Sequence, residues 1–282
     1  MWSHHSHSGQ YCQHAQDSLE DIKGITIDDL ERQFTAYFVH AHGIKSRYKN
    51  KIEIFVGFEI DYIRPESLDF IKLTIKKFRP DFIVGSIHHV EGIPIDFNQE
   101  LWTRAREKAG GSEEILYAHY FDDQFSMLQE LRPAVVGHFD LIRLFAPNSK
   151  IDFQQWPVVW EKIIRNISFI SDYGGLVEIN SSSLRKDWDE PYPRRDIAQL
   201  IISCQGRFTL SDDSHSIAQV GLNYHKVRDY VQSLGISELY CLNTDADGEL
   251  EKKRVFLSEL WWANDFWTET KIKSMSVSDP AR

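Results

Sequence analysis

The sequence predicts an α/β fold built on a parallel sheet and closed, or nearly closed, into a barrel. Three observations lead there. Short apolar runs alternate with amphipathic stretches at least six times along the chain. The apolar runs end in polar, ionisable residues, as barrel strands do at the rim where chemistry collects. No glycine-rich phosphate or dinucleotide loop is present, which disfavours the competing doubly wound open sheet.

In chain order, residues from about 17 to 49 place Leu30, Phe34, Tyr37, Phe38 and His42 on one helical face. KIEIFVGFEIDY follows as a strand in which Ile52, Ile54 and Val56 alternate. PESLDFIKLTIKKF is a helix with Pro65 near its first turn. DFIVGSIHHV is almost continuously apolar, as a strand buried on both faces would be. The alternation then continues. SEEILYAHYFDDQFSMLQEL is a helix, and PAVVGHFDLI a strand running into a loop. WPVVWEKIIRNISFISDYG is a helix followed by the strand GLVEINSSSL, and PRRDIAQLIISCQG a helix followed by RFTLSDDSH. VGLNYHKVRDYVQSLG and ISELYCL complete the series. DADGE at 245–249 lacks the rest of a twelve-residue calcium loop and is expected to be a turn between strands. The tryptophan-rich LWWANDFWTE is expected to pack a C-terminal segment against the barrel. One domain is expected over residues 1–282, with a polar tail fraying from 271.

The bulk properties narrow the function. A chain of 282 residues and 33.0 kDa supports one large domain or two smaller ones. A net charge of -10 argues against a dedicated nucleic-acid binder, yet leaves room for a small anionic substrate in a local basic pocket. Cys12, Cys204 and Cys241 make neither a disulfide framework nor a zinc-finger spacing. No apolar run is long enough for a membrane span, and the start lacks an apolar signal core, so the cytoplasm is the expected location. The oligomeric state is left open.

The strand ends carry His5-Ser6-His7, Glu59, His88-His89, His138 with Asp140, Glu178 with Asn180, and Asp212-Asp213 with His215. A lone histidine at such a place is usually a satisfied structural residue. Recurrence on several strands is different, because a barrel delivers all strand ends to one rim. On a strand, His5 and His7 point the same way, and Asp213 and His215 would share that geometry. Imidazole and carboxylate donors suit zinc, iron, manganese or cobalt better than an all-oxygen magnesium or calcium site. Two or three such ions would lower the pKa of a shared water and present hydroxide as the nucleophile of a hydrolysis. The bland alternative is that some of these groups only orient their neighbours by hydrogen bonds.

Taken in order, HSHSGQYCQHA, GFEID, GSIHHVEGIPIDFNQELW, VVGHFDLIRLF, EINSSSLRK and SDDSH resemble the PHP superfamily. The resemblance is to its histidinol-phosphatase branch in the fungal form, and it covers residues 3–226 best. It implies an irregular (β/α)7 barrel with a trinuclear site of zinc, iron or manganese at the strand C-termini. It also implies hydrolysis of L-histidinol phosphate, a small phosphorylated substrate, in histidine biosynthesis. Carried over by motif, His5, His7, Glu59 and Asp213 would bind the first metal. Glu59 would bridge to a second held by His88 and His138, and His14 and His215 would serve a third. Arg185 would hold the substrate phosphate, and His89 would be a neighbour of the ligands. Asp213 and His215, as ligands, would be poor acids for the leaving group.

The sequence departs from the family pattern in one place. A strand ending in Thr-Glu-His, expected between the first motif and GFEID, is absent. Only 45 positions separate His14 from Glu59, and the histidines between them, His40 and His42, fall on the expected helix. The departure leaves three other readings open: a shortened, impaired family member, a PHP phosphoesterase with another substrate, and an unrelated barrel with a tag-like start.

Overall fold

The computed structural model describes residues 27–277. The first motif, with His4, His5, His7, Cys12 and His14, lies outside the described residues. Among the described residues, packing divides the chain into two units, 27–134 with 141–166, and 135–140 with 167–277.

In the first unit, α1 (Ile27–Tyr48) carries acidic residues in its first turn and basic residues in its last, matching the helix dipole. It buries Phe38 and half-buries Phe34 and Tyr37. These rings meet Phe58 and Phe78, with Phe34 to Phe58 at 5.1 Å and Phe38 stacked on Phe78 at 4.8 Å. His40 and His42 are exposed on this helix, as expected. Asp81 ties the helix to the next strand by accepting from Lys45 and from the backbone N–H of Val56.

Strand β1 (Gly57–Asp61) begins later than the alternation at 52–56 suggested, and Ile52 is exposed. β1 pairs in parallel with β2 (Phe82–Ser86), from Gly57 beside Phe82 to Asp61 beside Ser86. Both strands are buried along their whole length, with Phe58 and Ile60 on one face of β1 and the carboxylates Glu59 and Asp61 on the other. Gly57 is required by this pairing, since a Cβ there would lie 2.6 Å from the carbonyl oxygen of Phe82. Gly57→Ala is expected to cost ~1–3 kcal/mol by overpacking, read from a chemical denaturation midpoint. Helix α2 (Ser67–Phe78) connects the two strands and ends on Arg79 in the left-handed conformation.

The expected single strand DFIVGSIHHV breaks after Ser86. His89–Val90 (β3) and Ile93–Pro94 (β4) form a small antiparallel hairpin. Its two-residue turn, Glu91 and Gly92, has positive φ at both positions, the geometry that matches strand twist. Helix α3 (Gln99–Lys108) was not predicted. Its signal was Asn98, whose side chain caps the backbone N–H of Leu101. Trp102 on α3 is fully buried and donates its indole N–H to the carbonyl of Ile142. Helix α4 (Glu113–Leu131) occupies its predicted place.

In the second unit, β5 (Val135–Val136), β6 (Leu176–Asn180) and β7 (Arg207–Ser211) run parallel in that order. Helix α5 (Pro157–Asp172) leads into β6, α6 (Arg195–Ser203) into β7, and α7 (Tyr224–Ser233) follows β7. The segment after Asn180 is a 3-10 turn, Ser181–Lys186, because the Asn180 side chain captures the backbone N–H of Ser182. ISELYCL was expected to continue the parallel series. It is instead β8 (Glu238–Thr244), paired antiparallel with β9 (Leu250–Phe256). The reason is the tight turn at DADGE, where Asp245 accepts from the backbone N–H groups of Asp247 and Glu249. The tryptophan cluster forms α8 (Glu259–Trp262) and α9 (Asp265–Val277), with Trp267 buried against Trp261 and Trp262. α9 takes in the first residues of the segment expected to fray. No helix among the described residues is long and apolar enough to cross a membrane.

Candidate metal centre

Within the first unit, the chemistry gathers where β1 and β2 end. Glu59 and Asp61 are two apart on β1 and share a face. Both are buried. His88, two residues past β2, is also buried, and its Nε2 lies 3.1 Å from Oε1 of Glu59. Its Nδ1 lies 2.9 Å from Oδ2 of Asp96. The His88 backbone N–H donates to Asp61, whose other carboxylate oxygen meets Nδ1 of His89 at 2.9 Å. His89 therefore faces Asp61.

Burial alone would lower the pKa of His88, but Asp96, Glu59 and Asp61 together outweigh it and raise it well above the ordinary value. Two carboxylates on the ring nitrogens of a buried imidazole, with Asp61 nearby at its backbone, favour positive charge there. A proton on His88 supplies it in the protein alone, and a divalent cation would supply it with the imidazole neutral and ligating. The donor set of imidazole and carboxylate fits zinc, iron or manganese. Sequence reasoning missed Asp61 and Asp96 here. The strand repeat of two from Glu59 pointed to Asp61, whereas nothing local pointed to Asp96.

Within the second unit, His138 follows β5 and is buried. Its backbone N–H donates to Glu178, a buried β6 residue that also accepts from the side-chain amide of Asn180 at 3.0 Å. Glu178 thus orients the His138 segment. The Tyr192 ring packs edge-on against the His138 ring at 6.3 Å. Asp140 accepts from the backbone N–H of Arg194.

Beyond β7 the geometry differs from the sequence expectation. β7 stops at Ser211, and Asp213 has φ 49, so Asp213 and His215 sit in a loop and not on one face of a strand. A left-handed residue cannot continue an extended strand. Asp213 is mostly buried, while His215 is about half exposed and turns its Nδ1 to the Asp213 carbonyl at 2.9 Å. Asp212 is structural, accepting from the backbone N–H of Gly221. Arg185 donates to the carbonyls of both Asp212 and Asp213. Its pKa is lowered by burial, an effect that Asp213, Asp212 and Tyr192 oppose.

The model of the PHP domain matches residues 3–182. The chain belongs to the PHP domain family. Within that family, a Schizosaccharomyces pombe protein named "Probable histidinol-phosphatase" is 40% identical over 92% of this chain and 95% of its own length. The Saccharomyces cerevisiae histidinol-phosphatase is 31% identical over 94% of this chain and 100% of its own length. That alignment spans 334 positions against a chain of 282 residues, so the relative carries segments this PHP chain lacks. A crystal structure of Lactococcus lactis histidinol phosphate phosphatase with zinc, L-histidinol and phosphate superposes with a TM-score of 0.58 at 19% identity. It covers 78% of this chain and 80% of that one. The fold class is accordingly α/β, of the (β/α)7 PHP type.

Proposed function

We propose that this protein is a metal-dependent phosphomonoesterase that hydrolyses L-histidinol phosphate to L-histidinol and inorganic phosphate. Its two fungal relatives carry that activity in their names, and the Lactococcus lactis structure holds zinc with both products. The observation that carries the reading is the buried pair of Glu59 and His88 in the first unit, with Oε1 and Nε2 3.1 Å apart. Glu59 from within β1 and His88 from beyond β2 supply part of a transition-metal donor set, and His138 is proposed as a further ligand. Two or three divalent ions, zinc, iron or manganese, are proposed, with Asp213 and His215 as further ligands and His5, His7 and His14 completing the set.

Divalent ions bound there would supply Lewis acidity toward the phosphoryl oxygens and an activated water at neutral pH. The remaining work falls to the chain. Glu59, which meets Nε2 of His88, would bring negative charge to cations held there. Asp61 fixes the backbone at His88, and Glu178 does the same at His138, so both imidazoles are held before substrate arrives. Arg185 has five N–H donors, and two nitrogens already anchor the Asp213 loop. Its remaining donors suit the fork of phosphate oxygens. The proposed setting is histidine biosynthesis in the cytoplasm, with a small phosphorylated substrate and no nucleic-acid partner.

The test is a metal count on purified protein paired with turnover of L-histidinol phosphate. Turnover that is lost on chelation and restored by zinc, iron or manganese is expected. A protein that binds no transition metal, or turns over equally well without it, would sink the reading. A shortened, impaired family member is the second reading, favoured by the surplus length of the Saccharomyces alignment. It predicts metal binding with fewer ions and no turnover.

A further inference from the structure

We infer that Asp96 is a positioning residue of the metal centre, delivered to His88 by the β3–β4 hairpin to select the tautomer in which Nε2 is the ligating atom. This rests on the metal-centre reading above.

The inference comes from how the chain is routed after His88. Without the hairpin, the residues after β2 would run on past His88. The positive-φ pair Glu91–Gly92 reverses the chain at once. The two short strands then set His89 opposite Pro94 and Val90 opposite Ile93. The backbone N–H of Ile95 closes the return by donating to the carbonyl of His88 at 2.8 Å. The next residue is Asp96, and its carboxylate reaches Nδ1 of His88. Asn98 then caps α3, fixing the chain on the far side of Asp96. The loop is thus pinned on both sides of one carboxylate.

The consequence is a matter of tautomers. An imidazole that donates Nδ1–H to a carboxylate leaves the Nε2 lone pair free to ligate, and the carboxylate makes that lone pair more basic. Nε2 is the atom facing Glu59. Asp96 is the carboxylate that meets Nδ1, and so it selects which nitrogen is left to face a cation. Its side chain is largely buried, which keeps water from competing for Nδ1.

The experiment compares Asp96→Ala and Asp96→Asn with the unsubstituted protein. Zinc affinity is measured by competition with a chromophoric chelator, alongside the thermal midpoint of the metal-stripped proteins and kcat/KM on L-histidinol phosphate. Asp96→Ala is expected to weaken zinc binding by about 10- to 100-fold. Asp96→Asn, whose amide oxygen still accepts from Nδ1–H, is expected to recover part of that loss. The inference is overturned if Asp96→Ala binds zinc within about twofold of the unsubstituted protein. It is equally overturned if both variants lose affinity only in step with metal-free stability. If Asp96→Ala does not fold, Asp96→Asn decides by the same twofold criterion. An unsubstituted protein that binds no zinc defeats the metal-centre reading instead, so the two failures are distinguishable.

Discussion

Glu59→Gln is expected to lower kcat/KM for L-histidinol phosphate by about three orders of magnitude. The substitution is close to isosteric, and β1 is buried along its length, so the strand and its parallel pairing should persist. What changes is charge. Glutamine removes a negative charge from a buried site where Glu59 faces the imidazole of His88. Without that charge the site holds divalent cations more weakly. A cation's stabilisation of developing phosphoryl charge amounts to several kcal/mol. Losing about 4 kcal/mol of it corresponds to roughly a thousandfold in rate. The measurement is steady-state kinetics with a metal count on the same preparation, and circular dichroism to show the fold. A variant that keeps full metal occupancy and stays within tenfold of the original rate would remove Glu59 from the mechanism.

His88 and His138 were readable as strand-end positions, since each lies two residues past its strand, whereas Glu59 lies inside β1. Periodicity carries that information locally. Asp96 was not legible because it reaches His88 only through the reversal at Glu91–Gly92, and spacing in the sequence does not encode a reversal's register. For β8 the reading was half right: DADGE is the turn between two strands that the sequence indicated, but that turn pairs ISELYCL antiparallel with β9 where the alternation had counted it into the parallel series. Asp213 failed differently. The two-residue spacing to His215 presupposed extended backbone, but β7 stops at Ser211 and Asp213 is left-handed. The pairing of these two residues with His5, His7 and His14 falls on a segment outside the described residues.

Arg185→Ala is expected to lower kcat/KM by about 10²- to 10³-fold, the usual effect of removing one preorganised donor from a developing anion. In the proposed mechanism Arg185 would combine two tasks that a smaller cation cannot. Two of its nitrogens donate to the carbonyls of Asp212 and Asp213, holding a loop whose Asp213 backbone is left-handed. Hydrogen bonds from a charged donor contribute about 1.5–3 kcal/mol each, so losing both releases the loop as well as the phosphate contact. Lysine offers one compact charge and cannot reach both carbonyls while facing phosphate. Arg185→Lys should therefore recover little of the loss, although it keeps the net charge. Added guanidinium in the assay should restore part of the activity of Arg185→Ala by supplying the planar fork, and should leave Arg185→Lys unchanged because its ammonium fills the space. If Arg185→Lys stays within about threefold of the original kcat/KM, charge alone suffices at this position, and the fork geometry assigned to Arg185 is wrong.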